Sequence, residues 1–317
     1  MTDIFFHLGF MKTASSTLQE YYFKKNKNVN FLGKNINGNN KIFFKFNNLF
    51  FNEKILPEEV SNFFINNFSI SKNKINVISQ EAFTLPFRYN DSHDFLFSLD
   101  RIKKISIILK SKLNLDTKIL LVVKPQDKFL ISCYGFYSHK IDSNTISNLD
   151  QLIEIFFEKQ KLSKNYFLSK LFYLFDYYEV SKKIEEYFGK DNMYILRLDD
   201  NISENLNSIF GDNLNIKDIF INKSIRVNNI VYKRVKKNTI NLHKYKIFLF
   251  IISLLKINKI RIFKNLYWLI NSKLSFFLFS KKINYSEIKI KKFLKTFEQS
   301  NNNLDKFYTY NIKKKIN

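Results

Sequence analysis

The residues best suited to chemistry lie near the amino terminus, in the run HLGFMKTASSTLQ over residues 7–19. The apolar run Asp3–Leu8 predicts a buried strand, and Thr13–Phe23 predicts a helix after Gly9. The first turn of a helix has unpaired backbone N–H groups and a positive dipole end, and Lys12 adds a full charge. This unit therefore predicts a phosphate or sulfate site. Its expected contacts are Gly9, Lys12, Thr13, Ala14, Ser15, Ser16 and Thr17.

The spacing in this run distinguishes two kinds of anion loop. A Walker A loop needs the pattern G-x-x-x-x-G-K-[ST], and the second glycine is missing here. The run GFMKTASSTL instead resembles the 5′-phosphosulfate loop of sulfotransferases that use 3′-phosphoadenosine 5′-phosphosulfate (PAPS), at every position of G-x-x-K-[ST]-[GA]-[ST]-[ST]-[ST]-L. The resemblance implies that Lys12 also acts in catalysis, by balancing charge on the leaving phosphate. An ordinary capped helix with a solvent-facing lysine is the alternative.

A second pair of candidate residues follows the most apolar strand pattern of the chain, Lys118–Val123. Pro125 ends that strand, and a helix is predicted over Asp127–His139. In the sulfotransferases that the chain resembles, a strand-end arginine and a serine eight positions later hold the 3′-phosphate of the nucleotide. Lys124 and Ser132 have that spacing, although lysine lacks the bidentate fork of arginine. The alternative is that both are ordinary surface residues.

Weaker similarities to bacterial sulfotransferases extend along the chain. The run MYILRLDD at 193–200 resembles a strand and acidic turn of that family, and 303–308 resembles part of its last helix. The arginine-lysine-glycine loop that usually binds the 3′-phosphate is absent, and Arg226 is the candidate substitute.

The acceptor must lose a proton, so a general base is needed. Glu81 is the candidate, because it comes just past the predicted strand Ile75–Ser79, at the sheet edge where α/β proteins bind ligands. The segment resembles the S-x-E stretch of bacterial sulfotransferases, and related glycan sulfotransferases use a glutamate base. His93, in a polar loop, is the competing candidate, whereas His7 lies within a strand and is expected to be a satisfied core residue.

These residues require a scaffold in which strands and helices alternate. Further patterns predict helices over Leu149–Phe157 and Tyr166–Phe188 and a strand over Met193–Leu198, while the polar stretch Lys24–Asn48 predicts a surface excursion. Such alternation is typical of a parallel α/β sheet. We therefore expect a three-layer, P-loop-like α/β fold with a central parallel sheet flanked by helices.

The whole chain is expected to form one domain of 317 residues. Its core reaches about residue 232, and a basic, aromatic and apolar segment follows over about 233–285, where helices are predicted. A last helix is predicted over about 286–310.

The net charge is +24, from 52 Lys and Arg against 28 Asp and Glu. The lysines are scattered rather than concentrated, so we do not expect a nucleic-acid module; the positive field would steer PAPS, and an acidic glycan acceptor, toward the chain. Two other readings stay open. One is a P-loop kinase of a small substrate, and the other is a non-enzymatic protein that binds nucleic acid or a membrane surface through residues 233–282.

The compartment is expected to be the cytoplasm, and a peripheral position at the membrane is the alternative. Cys133 is the single cysteine and cannot form an internal disulfide, which fits a reducing compartment. Met1–Phe10 lacks the pattern of a signal peptide, and the apolar stretch Ile247–Leu255 is too short to span a bilayer. The sequence shows no metal-ligand spacing, and the resemblance implies transfer without a metal.

Overall fold

A five-stranded parallel sheet forms the centre of the molecule. The computed structural model describes residues 2–10, 15–33, 41–52, 54–80, 83–84, 93–141, 146, 148–198, 202–211, 232–234, 280–283 and 285–313. The strands are β1 Thr2–Gly9, β2 Val29–Phe31, β3 Ile75–Ser79, β4 Leu115–Val123 and β5 Met193–Arg197. Their order across the sheet is β2-β3-β1-β4-β5, so β1 is central and has β3 and β4 as neighbours.

Helices cover both faces of this sheet. They are α1 Ser15–Thr17, which continues as a π-helix over Leu18–Phe23, α2 Lys41–Phe51, α3 Pro57–Asn67, α4 Phe95–Leu113, α5 Gln126–Ile141, α6 Leu149–Phe157, α7 Lys159–Lys164, α8 Tyr166–Tyr173, α9 Tyr177–Phe188, α10 Ile202–Phe210, α11 Glu287–Lys295 and α12 Glu298–Lys313. A 3₁₀ turn spans Lys190–Asn192.

The strands are apolar on both faces because both faces are buried. In β1, Ile4, Phe6 and Leu8 belong to one hydrophobic core, and Phe5 belongs to the other. The first core also takes side chains from α2–α6, α8, α9, α11 and α12, while the second takes them from the π-helix and α10. The predicted three-layer α/β fold with a parallel sheet is confirmed.

Three parts of the chain differ from the sequence-based prediction. The stretch Lys24–Asn48 is no mere surface excursion, because it holds β2 and most of α2, whose Phe46 and Phe50 are fully buried. The predicted helix Tyr166–Phe188 is two helices, since Asp176 accepts a hydrogen bond from the Glu179 backbone N–H and begins α9. The last predicted helix is likewise divided into α11 and α12.

The basic aromatic segment is described only at its ends, and these ends are strands rather than helices. Here β6 Tyr232–Arg234 pairs with β7 Ser280–Lys282 in an antiparallel ladder. The helices predicted between them lie outside the described residues. Within the part of the chain that the structure describes, no helix combines the length and apolar character needed to cross a bilayer.

Candidate functional site

The sheet brings the two candidate anion-binding motifs to one edge. Parallel strands end at the same edge, and the register pairs Gly9 of β1 with Val122 of β4. Lys124 follows two residues after Val122. On the other side of β1, His7 pairs with Ser79, the last residue of β3. The chain segments that leave β1, β3 and β4 therefore begin side by side, at the edge where α/β sheets bind ligands.

Gly9 ends β1 at a point where neighbouring side chains leave little space for a Cβ atom. Its φ does not lie in the left-handed region, but a Cβ there would collide with Ser15 Oγ and stand 3.3 Å from His7 Nε2. The absence of a Cβ at Gly9 leaves the space that Ser15 Oγ occupies at the start of α1. The Gly9 carbonyl accepts a hydrogen bond of 2.9 Å from Thr84 Oγ1, which ties the segment after β3 to the end of β1.

A buried hydrogen-bond network lies behind this approach. Gln19 Nε2 in the π-helix donates to Ser79 Oγ at 2.9 Å, and Ser79 Oγ lies 2.6 Å from His7 Nδ1. Since Ser79 accepts from Gln19, its own proton is free to be donated to His7 Nδ1. The network joins the helix after β1 to the ends of both β1 and β3.

His7 is a neutral imidazole in this network. Complete burial lowers the pKa of His7 to about 3, because the charged form would lose its hydration. A neutral imidazole carries one ring proton, so His7 Nδ1 either accepts from Ser79 Oγ or donates to it. Nε2 is buried and has no hydrogen-bond partner among the residues that the structure describes. His7 is thus buried in the core as predicted, and in the described part of the chain Nδ1 is its hydrogen-bonded nitrogen.

Lys124 and Ser132 are in contact. Lys124 directly follows β4, and Ser132 lies in the second turn of α5. Lys124 Nζ donates to Ser132 Oγ at 2.7 Å, and Ser132 Oγ donates to the Lys128 carbonyl at 2.7 Å. Lys124 is buried, and its ammonium group is held against Ser132 rather than extended into solvent. The pair places a positive charge and a hydroxyl group within one anion's reach.

The backbone of Lys124 is held from behind. Tyr177 Oη, at the start of α9, donates to the Lys124 carbonyl at 2.9 Å. The Phe10 ring, just past β1, has its centroid 5.4 Å from that of Tyr177 and 5.1 Å from that of Phe129. Burial raises the pKa of the Tyr177 hydroxyl well above its usual value, so it stays a proton donor. An aromatic layer therefore underlies both strand ends.

The other predicted site residues are described in part. Ser15 and Thr17 lie in α1, and so does the backbone of Ser16. Lys12, Thr13, Ala14, Glu81 and Arg226 lie outside the described residues. On one side of Glu81, Gln80 Nε2 donates to Asn47 Oδ1 at 2.9 Å, and on the other, Phe83 N–H donates to the Gln80 carbonyl at 3.2 Å.

The competing base, His93, is held by packing. Its ring stacks on Phe97, with centroids 3.7 Å apart, and lies 6.3 Å from Phe51. It is buried, and its carbonyl accepts a hydrogen bond of 2.8 Å from Lys170 Nζ. These contacts give His93 a structural role between two phenylalanines.

Sequence reasoning missed three residues of the site: Gln19, Ser79 and Tyr177. Ser79 lies in the segment chosen for Glu81, and Gln19 ends the run over residues 7–19. The available signal was a polar side chain at the end of a strand and another in the helix that follows β1. Tyr177 gave none, because it is 53 residues from the backbone that it holds.

Comparisons with known proteins give one solved structure to report. No family model matches the chain, and no curated protein matches it. A sulfotransferase from Alicyclobacillus acidocaldarius is similar in structure, with a TM-score of 0.36 and 11% sequence identity over 72% of this chain and 78% of that chain. Any case for a function must therefore come from the residues and contacts of the chain itself.

Proposed function

We propose that this chain is a sulfotransferase that moves a sulfuryl group from PAPS to a hydroxyl or amine of an acceptor. The observation that carries the proposal is the Lys124–Ser132 contact, 2.7 Å long, at the end of the strand next to the Gly9 loop. PAPS has anionic groups at two ends of its ribose, so it needs two separate anion sites. We propose that the loop after β1 forms one of these sites and that Lys124 and Ser132, after β4, form the other.

The Lys124–Ser132 pair fits a 3′-phosphate. A lysine ammonium has three N–H donors, and only one is needed for the bond to Ser132. Ser132 would turn its proton from the Lys128 carbonyl toward a phosphate oxygen, which leaves its lone pairs for Lys124. Arg226 is proposed as a further 3′-phosphate ligand.

The Gly9 loop would hold the 5′-phosphosulfate through Lys12 and the hydroxyl groups of Thr13, Ser15, Ser16 and Thr17, with the backbone of Ala14. In the proposed reaction the acceptor oxygen forms a bond to sulfur, the bond between sulfur and the bridging phosphate oxygen breaks, and Glu81 takes the acceptor proton. Lys12 would balance the charge that develops on the leaving phosphate. The step uses no metal.

The acceptor is proposed to be a glycan or another carbohydrate, because a net charge of +24 attracts an acidic sugar polymer. That attraction is screened by salt, so KM for such an acceptor should rise with ionic strength. We further propose that the chain works as one domain in the cytoplasm.

The test is ligand binding followed by transfer. Isothermal titration should show that adenosine 3′,5′-bisphosphate binds more tightly than AMP, and radiolabelled sulfate should pass from PAPS to an acidic glycan. Binding of Mg-ATP in preference to the bisphosphate would overturn the proposal and favour a kinase. Salt-sensitive binding of DNA or anionic vesicles that survives Lys12→Ala, without any binding of the bisphosphate, would favour the non-enzymatic alternative.

A further inference from the structure

The helix α12 contacts α5 close to the candidate 3′-phosphate site. Asn301 Nδ2 donates a hydrogen bond of 2.8 Å to Gln126 Oε1. Gln126 is the first residue of α5 and lies two residues after Lys124. It is buried, so its amide cannot replace a lost partner with bulk water.

The same glutamine is held at its other end. Gln126 Nε2 donates to the Phe175 carbonyl at 2.6 Å, in the turn before α9. Two residues on, Tyr177 donates to the Lys124 carbonyl at 2.9 Å. The chain on either side of Pro125 is therefore attached to the start of α9 by two parallel hydrogen bonds, one to Lys124 and one from Gln126.

A second hydrogen bond from α12, next to that of Asn301, attaches this helix to the start of α9. Ser300 Oγ donates to Asp176 Oδ1, and the same carboxylate oxygen accepts from the Glu179 backbone N–H at 3.1 Å. We name the six residues joined in this way the clasp: Lys124, Gln126, Asp176, Tyr177, Ser300 and Asn301. Adjacent residues of α12 thus bind both the segment that carries Lys124 and the helix cap that supports it.

From this geometry we infer that Asn301 is a positioning residue that sets the preference for a 3′-phosphorylated nucleotide. The role rests on the proposed function of Lys124. A single ammonium group discriminates between nucleotides only if its backbone is held still, because small displacements weaken a charge-assisted hydrogen bond. Asn301 does not touch the nucleotide; it orients Gln126, and Gln126 with Tyr177 orients Lys124.

The test is Asn301→Asp, which keeps the size of the side chain and removes its donor. Asn302→Asp is the matched control, because Asn302 is the exposed neighbour and the change adds the same charge. We expect Asn301→Asp to weaken binding of adenosine 3′,5′-bisphosphate about tenfold, as loss of second-layer support does at other sites, and to leave AMP binding unchanged. KM for PAPS should rise while kcat at saturation stays near the wild-type value.

The wild-type protein tests the proposed site at Lys124, and the variants test the role of Asn301. Equal affinity of the wild-type protein for the bisphosphate and AMP overturns the proposed site at Lys124 and this role together. A wild-type preference that survives in Asn301→Asp, or that falls equally in Asn302→Asp, overturns the role alone. Equal losses for both nucleotides would show a merely structural effect and also overturn it. If Asn301→Asp does not fold, Asn301→Ala removes the donor without the charge and is judged by the same results.

Discussion

The proposed anion sites at the ends of the adjacent strands β1 and β4 differ in the groups that form them. At β1, the described groups are neutral: Gly9 leaves space for Ser15, and His7 and Ser79 share a buried hydrogen bond. At β4, the ammonium group of Lys124 donates to the Ser132 hydroxyl, and the Lys124 carbonyl accepts a hydrogen bond from Tyr177. The described part of the first proposed site depends on close packing, and the second depends on where the Lys124 charge is held. The two should therefore respond differently to substitution.

The largest effect is expected from removing the positive charge of Lys12, which the proposed site at β1 would use. Lys12→Ala should abolish sulfuryl transfer and weaken nucleotide binding, because neutral donors alone cannot balance the charge of the leaving phosphate. The melting temperature should stay at the wild-type value. Lys112→Ala, at an exposed lysine of α4, is the control. Full activity in Lys12→Ala would contradict the proposed site.

Glu81→Gln tests the proposed general base, which follows β3 in the sequence. It keeps the shape of the side chain and removes its basicity, so kcat should fall by about 10²–10⁴ while the bisphosphate still binds. His93→Phe keeps the stack on Phe97 and should stay active. The reverse result, with Glu81→Gln active and His93→Phe inactive, would make His93 the base.

The β4 site can be removed separately. The double substitution Lys124→Ala and Ser132→Ala removes two polar contacts to a phosphate, each worth about 1.5–3 kcal/mol when charged, so affinity for PAPS should fall at least about 10²-fold. Affinity for adenosine 5′-phosphosulfate, which lacks the 3′-phosphate, should change little. Equal losses for both nucleotides would show that Lys124 and Ser132 do not bind that group.

The neutral network at β1 should make folding sensitive to acid. The pKa of His7 is lowered to about 3 in the folded protein from its ordinary 6.5, so below pH 6.5 the unfolded chain takes up a proton that the folded chain refuses. The free energy of unfolding should then fall by about 1.4 kcal/mol per pH unit, or about 2 kcal/mol between pH 6.5 and 5. Urea titrations should show this loss in the wild type and a smaller one in His7→Gln. Identical pH slopes would show that His7 is not the cause.

The sequence predicted four of the five strands of the sheet, because buried parallel strands are apolar runs that can be recognised locally. It also predicted that Lys124 and Ser132 share a ligand, and the structure places them in contact, since a strand end and the second turn of the following helix are close in space. Their role stays a prediction. The strand β2 was missed because it has only three residues within a stretch rich in Lys and Asn.

Contacts that depend on register could not be predicted. The bond between His7 and Ser79 exists because β1 and β3 pair at those two residues, and nothing local to either strand states that register. The bonds from Tyr177 and Asn301 to the β4 end join residues that are 53 and 175 positions apart. Each donor is an ordinary residue of an ordinary helix, and only the folded chain shows that it supports Lys124.

The clasp also has a consequence for how the site is assembled over time. The bond from Asn301 to Gln126 closes a loop of 175 residues, whereas the bond from Lys124 to Ser132 spans eight. Contacts of such high sequence separation form late, because the chain must lose the entropy of the whole loop before the contact contributes. A nascent chain that has emerged only through β5 can already pair its strands and hold Lys124 against Ser132. On the role proposed for Asn301, the full nucleotide preference would be reached only when α12 docks, after the sheet has formed.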